Sequence, residues 1–582
     1  MKLKLPVLTL VCLLPLLLPA QNALTFSTNN IAITITGYVG ASSGVTNVVI
    51  PTTINGYPVL SIGTYAFYSC TSLTNVTIGH GMTNIGYGAF WDCDSMTNAD
   101  IGTNVLNIDD YAFHSCNSLP SVTIPNSVTN IGDGAFSESY SLAGVMIPDS
   151  VSSIGYGAFR YCHSLTSVTV SDHVTNIGMD AFAACDGMTN ITVLEGNPAY
   201  SSTNGVLFNK FQTTLIQFPG GLGGSYTIPD GVTSISDRAF QNCNNLTNVT
   251  MANSIALLGD YVFYNCIGLT SVTIGNGVKN ISEGTFSYCT NLASVTIPDN
   301  VTSIENVAFA YCTSLRSATI GNGVTNIGAG AFQICTSLTN IAVAAGNPAY
   351  SSGNGVLFNK PQTTLIQFPG GGSGSYTMPS SVTNIGNNAF AYCAGLTSVT
   401  IPAGVRSIGD GAFIHCRGLT SVAIPNSVKS ISSVAFGACI GLKTVTIGNG
   451  VTNINSSAFG GCTTLTNLTF FGNAPTLGSS VFTSVPGKVY YYYGTSGWGA
   501  TYGGLPTVML YWPPQIAGNN VGVQSGNFRF TITGVSNQTI VVEASTNLVN
   551  WQPIRTNTLT STSTNFTDPQ WGNYPARFYR AR

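Results

Sequence analysis

Residues 151–173 read V-S-S-I-G-Y-G-A-F-R-Y-C-H-S-L-T-S-V-T-V-S-D-H, and the pattern of this stretch decides the fold. Ala158, Phe159, Cys162 and Leu165 stand at i, i+1, i+4 and i+7, the inward stripe of a short helix or helical turn. Val168 and Val170 then alternate with Ser167 and Thr169, which reads as a half-buried strand. In most copies a Pro-Asn, Pro-Asp or Gly-Asn pair turns the chain out of the strand, as at Pro125-Asn126 and Gly275-Asn276. A second apolar pair, such as Val128 and Ile131, returns it to the next helical turn.

The phrase recurs every 23 residues: its phenylalanine falls at Phe67, Phe90, Phe113, Phe136, Phe159 and Phe182, then from Phe240 to Phe332 and from Phe390 to Phe482. One unit has no core of its own, so its Phe, Leu, Val and Ile are buried only by the units before and after it. The expected fold is therefore a repeat solenoid with a parallel β-sheet on one face and short helical turns on the other. The phrase A-F-x-x-C-x-x-L-T-x-V-x-I-P at this spacing resembles the BspA-like class of bacterial leucine-rich repeats over roughly residues 25–511. That family is extracellular or surface-associated and some members bind host or matrix proteins, so the resemblance implies a surface interaction role.

Two interruptions break the rhythm. Phe182 to Phe240 and Phe332 to Phe390 are each 58 residues apart, one repeat plus an insert of 35. The inserts, near 194–228 and 344–378, are copies: residues 197–221 and 347–371 differ only at Thr203/Gly353 and Phe211/Pro361. Val206 to Phe208 and Thr214 to Phe218 read as two strands around a tight turn, a hairpin on the solenoid edge that is either a tolerated loop insertion or a projecting contact element.

The remaining organisation follows from the ends. Lys2 and Lys4, an apolar run from Leu5 to Leu18 and small residues at Ala20 and Ala23 have the layout of a signal peptide over 1–23, after whose removal no transmembrane segment is expected. Residues 24–60 read as an N-terminal cap and first strand, 61–487 as the repeats, and 488–511, with Tyr490 to Tyr493, as a C-terminal cap. Beyond Trp512-Pro513-Pro514 the repeat phrase is gone. Alternating runs at 528–533, 539–544, 551–556 and 577–580 look like a small β-sandwich module common at the ends of exported bacterial proteins.

Chemistry is hard to find. Only 7% of residues are charged and the net charge is -3, which gives no basic footprint for nucleic acid. Fourteen cysteines follow the signal region, each three residues after a repeat Phe, with Ser139 and Val485 in the two exceptional slots. Runs of three and five neighbouring Cys do not pair evenly, so the residues read as buried free thiols acting as small hydrophobes. The five histidines occupy different phases of the repeat. His163 beside Cys162 has no orienting acid in view, and no metal site, cofactor or catalytic constellation is expected.

What remains is surface. In each strand the residues flanking the first buried aliphatic point outward together. They form a row that includes Asn248/Thr250, Ser271/Thr273, Ser294/Thr296 and Ser317/Thr319, an uncharged array of hydroxyls and amides suited to an extended peptide or glycan. Trp91, Tyr161, Tyr264, Tyr288, Tyr311 and Tyr392 lie in the helical turns and form a rival contact surface. The expected function is adhesion-type binding of an extracellular protein or polysaccharide at the cell surface. The alternatives are a purely structural envelope or matrix component and, behind it, an ice- or crystal-binding face.

Overall fold

Period-two alternation in Asn75-Val76-Thr77-Ile78 buries Val76 and Ile78 and turns the two polar residues outward, as a strand with one covered face must. A computed structural model describes residues 24–29, 31–39 and 46–582, with side chains left out at 518–520. The expected signal segment 1–23 lies outside these residues. The described chain divides into two units, one running to Pro361 and including Gln367–Gly372, the other comprising Gln362–Ile366 and Ser373–Arg582.

In the first unit the coils contribute strands to a first parallel sheet, broken into short ladders of two or three strands and held at a 23-residue register within the repeats. Ser294, Val295, Thr296 and Ile297 pair with Ser317, Ala318, Thr319 and Ile320. The return leg, read from sequence only as an apolar pair, is itself a two-residue strand in a second parallel sheet. Its register runs Asn84, Asn107, Asn130, Ser153 and Asn176, each beside a buried or half-buried Ile. Its asparagines bond to one another up the stack, Asn107 Nδ2 to Asn84 Oδ1 at 3.1 Å and Asn130 Nδ2 to Asn107 Oδ1 at 3.0 Å. A polar row is thereby satisfied along the ladder.

The expected helical turn is not a helix, and no α-helix occurs among the described residues. In each coil the residues two before and two after the phenylalanine have positive φ, such as Tyr65 (φ 57°) and Ser69 (φ 53°) around Phe67. A left-handed residue costs an L-amino acid roughly 1–2 kcal/mol and ends α-helical bonding. The compensation is a third ladder. Tyr65, Phe67 and Ser69 donate their amides to the carbonyls of Tyr87, Ala89 and Trp91 one coil on, while Tyr68, Cys70 and Leu73 donate back three residues within the coil. The i, i+4, i+7 stripe was thus inward-facing, but every second amide belongs to the neighbouring coil.

The core is a stack. Phe67, Phe90, Phe113 and Phe136 lie with ring centroids 4.9, 5.1 and 5.3 Å apart. The cysteines beside them are buried and free. Most are more than fillers: Cys93 Sγ donates to the Phe67 carbonyl at 3.2 Å and Cys289 Sγ to that of Phe263 at 3.1 Å. Ser139 keeps the same bond, to Phe113 O at 3.0 Å.

The hairpin Leu24–Thr28 and Ile33–Tyr38 joins the second sheet through Tyr57–Ile62, and Asn47–Ile50 joins the first through Asn75–Ile78. The first insert forms three strands, Tyr200–Thr203, Val206–Asn209 and Thr214–Gln217, the last of which pairs with Ser234–Ile235 as a rung of the second sheet. Val206, Leu207, Phe208, Leu215 and Phe218 are buried, so most of the insert is core and only its tip, with Phe211 84% exposed, projects.

In the second unit the first sheet runs from Gly374–Thr377 to Asn467–Phe470 and gains two more parallel rungs, Lys488–Tyr492 and Leu505–Leu510. After Pro514 the chain forms two three-stranded antiparallel sheets, Gln515–Gln524, Asn527–Thr533 and Ser563–Asp568 in one, Gln552–Thr558, Thr539–Ser545 and Phe578–Ala581 in the other. Phe530, Ile532, Ile540, Val542, Leu559 and Phe566 form their shared core.

Candidate functional site

The outward row of the first sheet lies as the alternation requires. Ser271, Thr273, Ser294, Thr296 and Thr319 are exposed, while Asn248, Thr250 and Ser317 are half-buried. Stacked neighbours bond laterally, Ser271 Oγ to Asn248 Oδ1 at 2.5 Å. Strand Ser271–Thr273 closes one three-stranded ladder and Ser294–Ile297 opens the next. Across this break lies an open groove of about 760 Å³, lined by Ser271, Thr273, Ser294, Thr296 and Thr319 and rimmed on the turn side by Asn276, Asp299 and Asn300. Asp299 is the one charged residue of its lining. A second groove, of about 420 Å³, repeats the arrangement with Ser167, Thr169, Asn126 and Asp149.

The aromatic residues of the turns are arranged differently. Tyr288 and Tyr311 stack at 4.2 Å, Tyr264 meets Tyr288 edge-on at 5.4 Å, and Tyr392 stacks on His415 at 4.7 Å. Trp91 packs on Tyr111 at 5.2 Å and against His114 at 4.6 Å. The Arg160 guanidinium covers Tyr161 at 4.7 Å. All six are half-buried. Burial and the hydrogen bond with Tyr311 push the Tyr288 phenol up to about 12. These rings spend much of their faces on one another.

His163 does have an acid, since Asp186 Oδ2 lies 3.1 Å from its Nδ1, one coil on and invisible to a search for nearby sequence partners. The neighbouring Cys162 gains no reactivity from it. Its Sγ is buried and donates to Phe136 O at 3.2 Å, and burial raises the thiol well above its ordinary value. A cluster that sequence reasoning missed joins the buried Asp180 to Arg238 at 3.1 Å, to Arg160 at 4.0 Å and to the Tyr156 hydroxyl at 3.3 Å, and burial raises this carboxylate despite both arginines. Its three partners stand 20, 24 and 58 residues from Asp180 in sequence, and only the coil register brings them to it. No group of three or more His, Cys, Asp or Glu fit to hold a metal ion occurs among the described residues.

Residues 34–166, 152–223, 224–339 and 372–487 match the family model of the BspA type leucine rich repeat region. The chain belongs to the BspA-type leucine-rich repeat family. This BspA-type protein is similar to a leucine rich cell surface protein from Faecalibacterium prausnitzii A2-165, with 32% identity over 56% of this chain and 94% of that one and a TM-score of 0.50. The pneumococcal vaccine antigen PcpA shares its fold, with 20% identity, 67% and 98% coverage and a TM-score of 0.51. No curated protein matches the chain. The BspA-type repeat is a scaffold without catalytic machinery of its own, and no helix among the described residues is long and apolar enough to cross a membrane.

Proposed function

We propose that this BspA-type protein is an exported surface interaction protein that binds an extended segment of a protein or polysaccharide partner along its first sheet. The observation that carries the reading is the open, nearly uncharged groove over Ser271–Thr273, Ser294–Ile297 and Thr319. Its hydroxyls both donate and accept, at a 23-residue register that repeats the same pair of polar groups from coil to coil. An extended chain needs such a periodic row, because its own donors and acceptors recur along its length. The half-buried tyrosines of the opposite turns offer ring edges more than open faces, which favours the sheet as the contact surface. The likeness to a bacterial cell surface protein supports the location.

The test is a binding screen of residues 24–582 against matrix proteins and polysaccharides. It is repeated with Thr250, Thr273 and Thr296 changed to Lys and, separately, with Tyr264, Tyr288 and Tyr311 changed to Ala. Loss of binding in the lysine variant alone is expected. Loss in the tyrosine variant alone moves the site to the turns, and the absence of any binding favours a structural envelope component.

A further inference from the structure

The C-terminal module carries a feature that the repeat surface does not explain. Between Thr539–Ser545 and Gln552–Thr558 the chain turns through Asn547-Leu548-Val549-Asn550, and the turn is built rigidly. Asn547 Oδ1 accepts the amides of Val549 at 3.0 Å and Asn550 at 2.9 Å, and Ser545 Oγ accepts the amide of Asn547 at 3.2 Å. Leu548 sits at its tip with φ 62° and 57% exposed, followed by Val549 at 77%. Asparagine or glycine would meet both demands of this position, the left-handed backbone and the water, better than leucine does. Two large aliphatic side chains held out on a strained, pre-formed tip break the local rule without any gain inside the fold.

What surrounds the tip identifies its partner. Trp551 Nε1 donates to the Leu548 carbonyl at 3.2 Å, which places the indole directly beneath the tip. The Arg580 guanidinium lies over that indole at 4.4 Å. Residues 512–582 hold five arginines against one glutamate and one aspartate, in a chain whose net charge is -3. Both carboxylates are buried under arginine partners: Glu543 binds Arg580 at 2.6 Å and Arg582 at 2.9 Å, and Asp568 binds Arg577 at 3.1 Å. The surface charge of the module is therefore positive, with Arg580 and Arg582 about half and two thirds exposed.

From the aliphatic tip, the indole beneath it and the guanidinium on the indole, we infer that this module docks on an anionic lipid bilayer. Leu548 and Val549 enter the acyl boundary, Trp551 sits at the headgroup level and Arg580 and Arg582 face the lipid phosphates. A soluble polyanion would satisfy the arginines but leave the aliphatic tip in water, so the bilayer accounts for both halves of the patch. The inference is independent of the sheet-face reading, since it uses no residue of the repeats.

The experiment is co-sedimentation of residues 24–582, which leaves out the apolar run Leu5–Leu18, with vesicles of phosphatidylcholine alone or mixed with phosphatidylglycerol. Binding to the mixed vesicles is expected, weakening as salt rises. The double variant Leu548→Asn, Val549→Asn relieves the backbone strain and removes the apolar tip. It should keep or raise the thermal midpoint while lowering vesicle affinity about tenfold or more. The inference is overturned by failure of the parent chain to bind either vesicle, by equal binding of the double variant, or by binding to soluble dextran sulfate with none to vesicles.

Discussion

A single slot in the repeat shows how a residue type is chosen. The position three after each phenylalanine is buried, which alone would admit Ala or Val, yet it holds Cys in fourteen copies and Ser139 in another. The common property of the two is a small side chain with one donor, and the donor meets the Phe carbonyl of the preceding coil. Sequence reading took the thiols as small hydrophobes, and burial and free state agree with it. The bond was legible only at Ser139, one of the two exceptions; the other, Val485 in the last copy, has no donor to offer. Cys289→Ser should therefore cost no more than about 1 kcal/mol, whereas Cys289→Val should cost about 1–3 kcal/mol through the lost partner and the added methyl. Urea unfolding of the two variants checks the order. Burial also raises the thiols, Cys70 to about 11 and Cys185 to about 12, from an ordinary 9.0. Above pH 9 the unfolded chain sheds thiol protons that the folded chain keeps, so the contribution is fully present below about pH 9 and is lost as pH rises toward 11 and 12. The thermal midpoint in reducing buffer should accordingly fall between pH 9 and 11, and a flat profile would contradict the buried-thiol stack.

Elements were legible where they are long and obscure where they are short or shared. The Val168/Val170 alternation is visible because four residues repeat it, but the return strands are two residues long and present no period. The turn around each Phe looked helical because its inward stripe has helical spacing; alternate left-handed residues such as Tyr111 and Ser115 leave no mark on a hydrophobic pattern. The insert shows the same division. Its two apolar strands were visible, but the third, Tyr200–Thr203, and the residue that locks it in place were not. Asn197 is fully buried and uses its whole amide: Nδ2 donates to Ser171 O at 2.6 Å and Val174 O at 2.8 Å, and Oδ1 accepts from Ala199 N at 2.9 Å and Tyr200 N at 2.7 Å. Asn347 repeats all four bonds in the second copy. Asn197→Ala should cost about 3 kcal/mol by leaving buried backbone groups unpaired. Hydrogen exchange should speed up across residues 195–217 while coils far from the insert keep their protection.

At the scale of the whole molecule the period itself carries the fold, because within an unbroken run of repeats the ladders are satisfied at one register. Strand pairing, ring stacking and thiol bonds all connect a residue to its counterpart 23 or 26 positions away. Removing residues 279–301 takes out one complete unit and joins Val278 to Thr302. The remaining partners are then chemically equivalent to those lost. Ser303-Ile304 takes the place of Asn280-Ile281 beside Leu257-Leu258, Phe309 stacks on Phe263, and Cys312 reaches the Phe263 carbonyl that Cys289 now holds. Such a chain should fold and resist protease as the parent does, losing only the share of stability that one unit and its interface supply. Removing one residue more, Thr302 as well, shortens the return leg so that Val278 and Ile304 no longer stand three apart, as Val278 and Ile281 do in the parent. Inward residues then meet the wrong neighbours and the second sheet loses a rung. The 24-residue deletion should therefore open the coils on both sides of the joint to protease and lower the urea midpoint well below that of the 23-residue deletion. Equal behaviour of the two would mean that the coils are held by general hydrophobic burial and not by register.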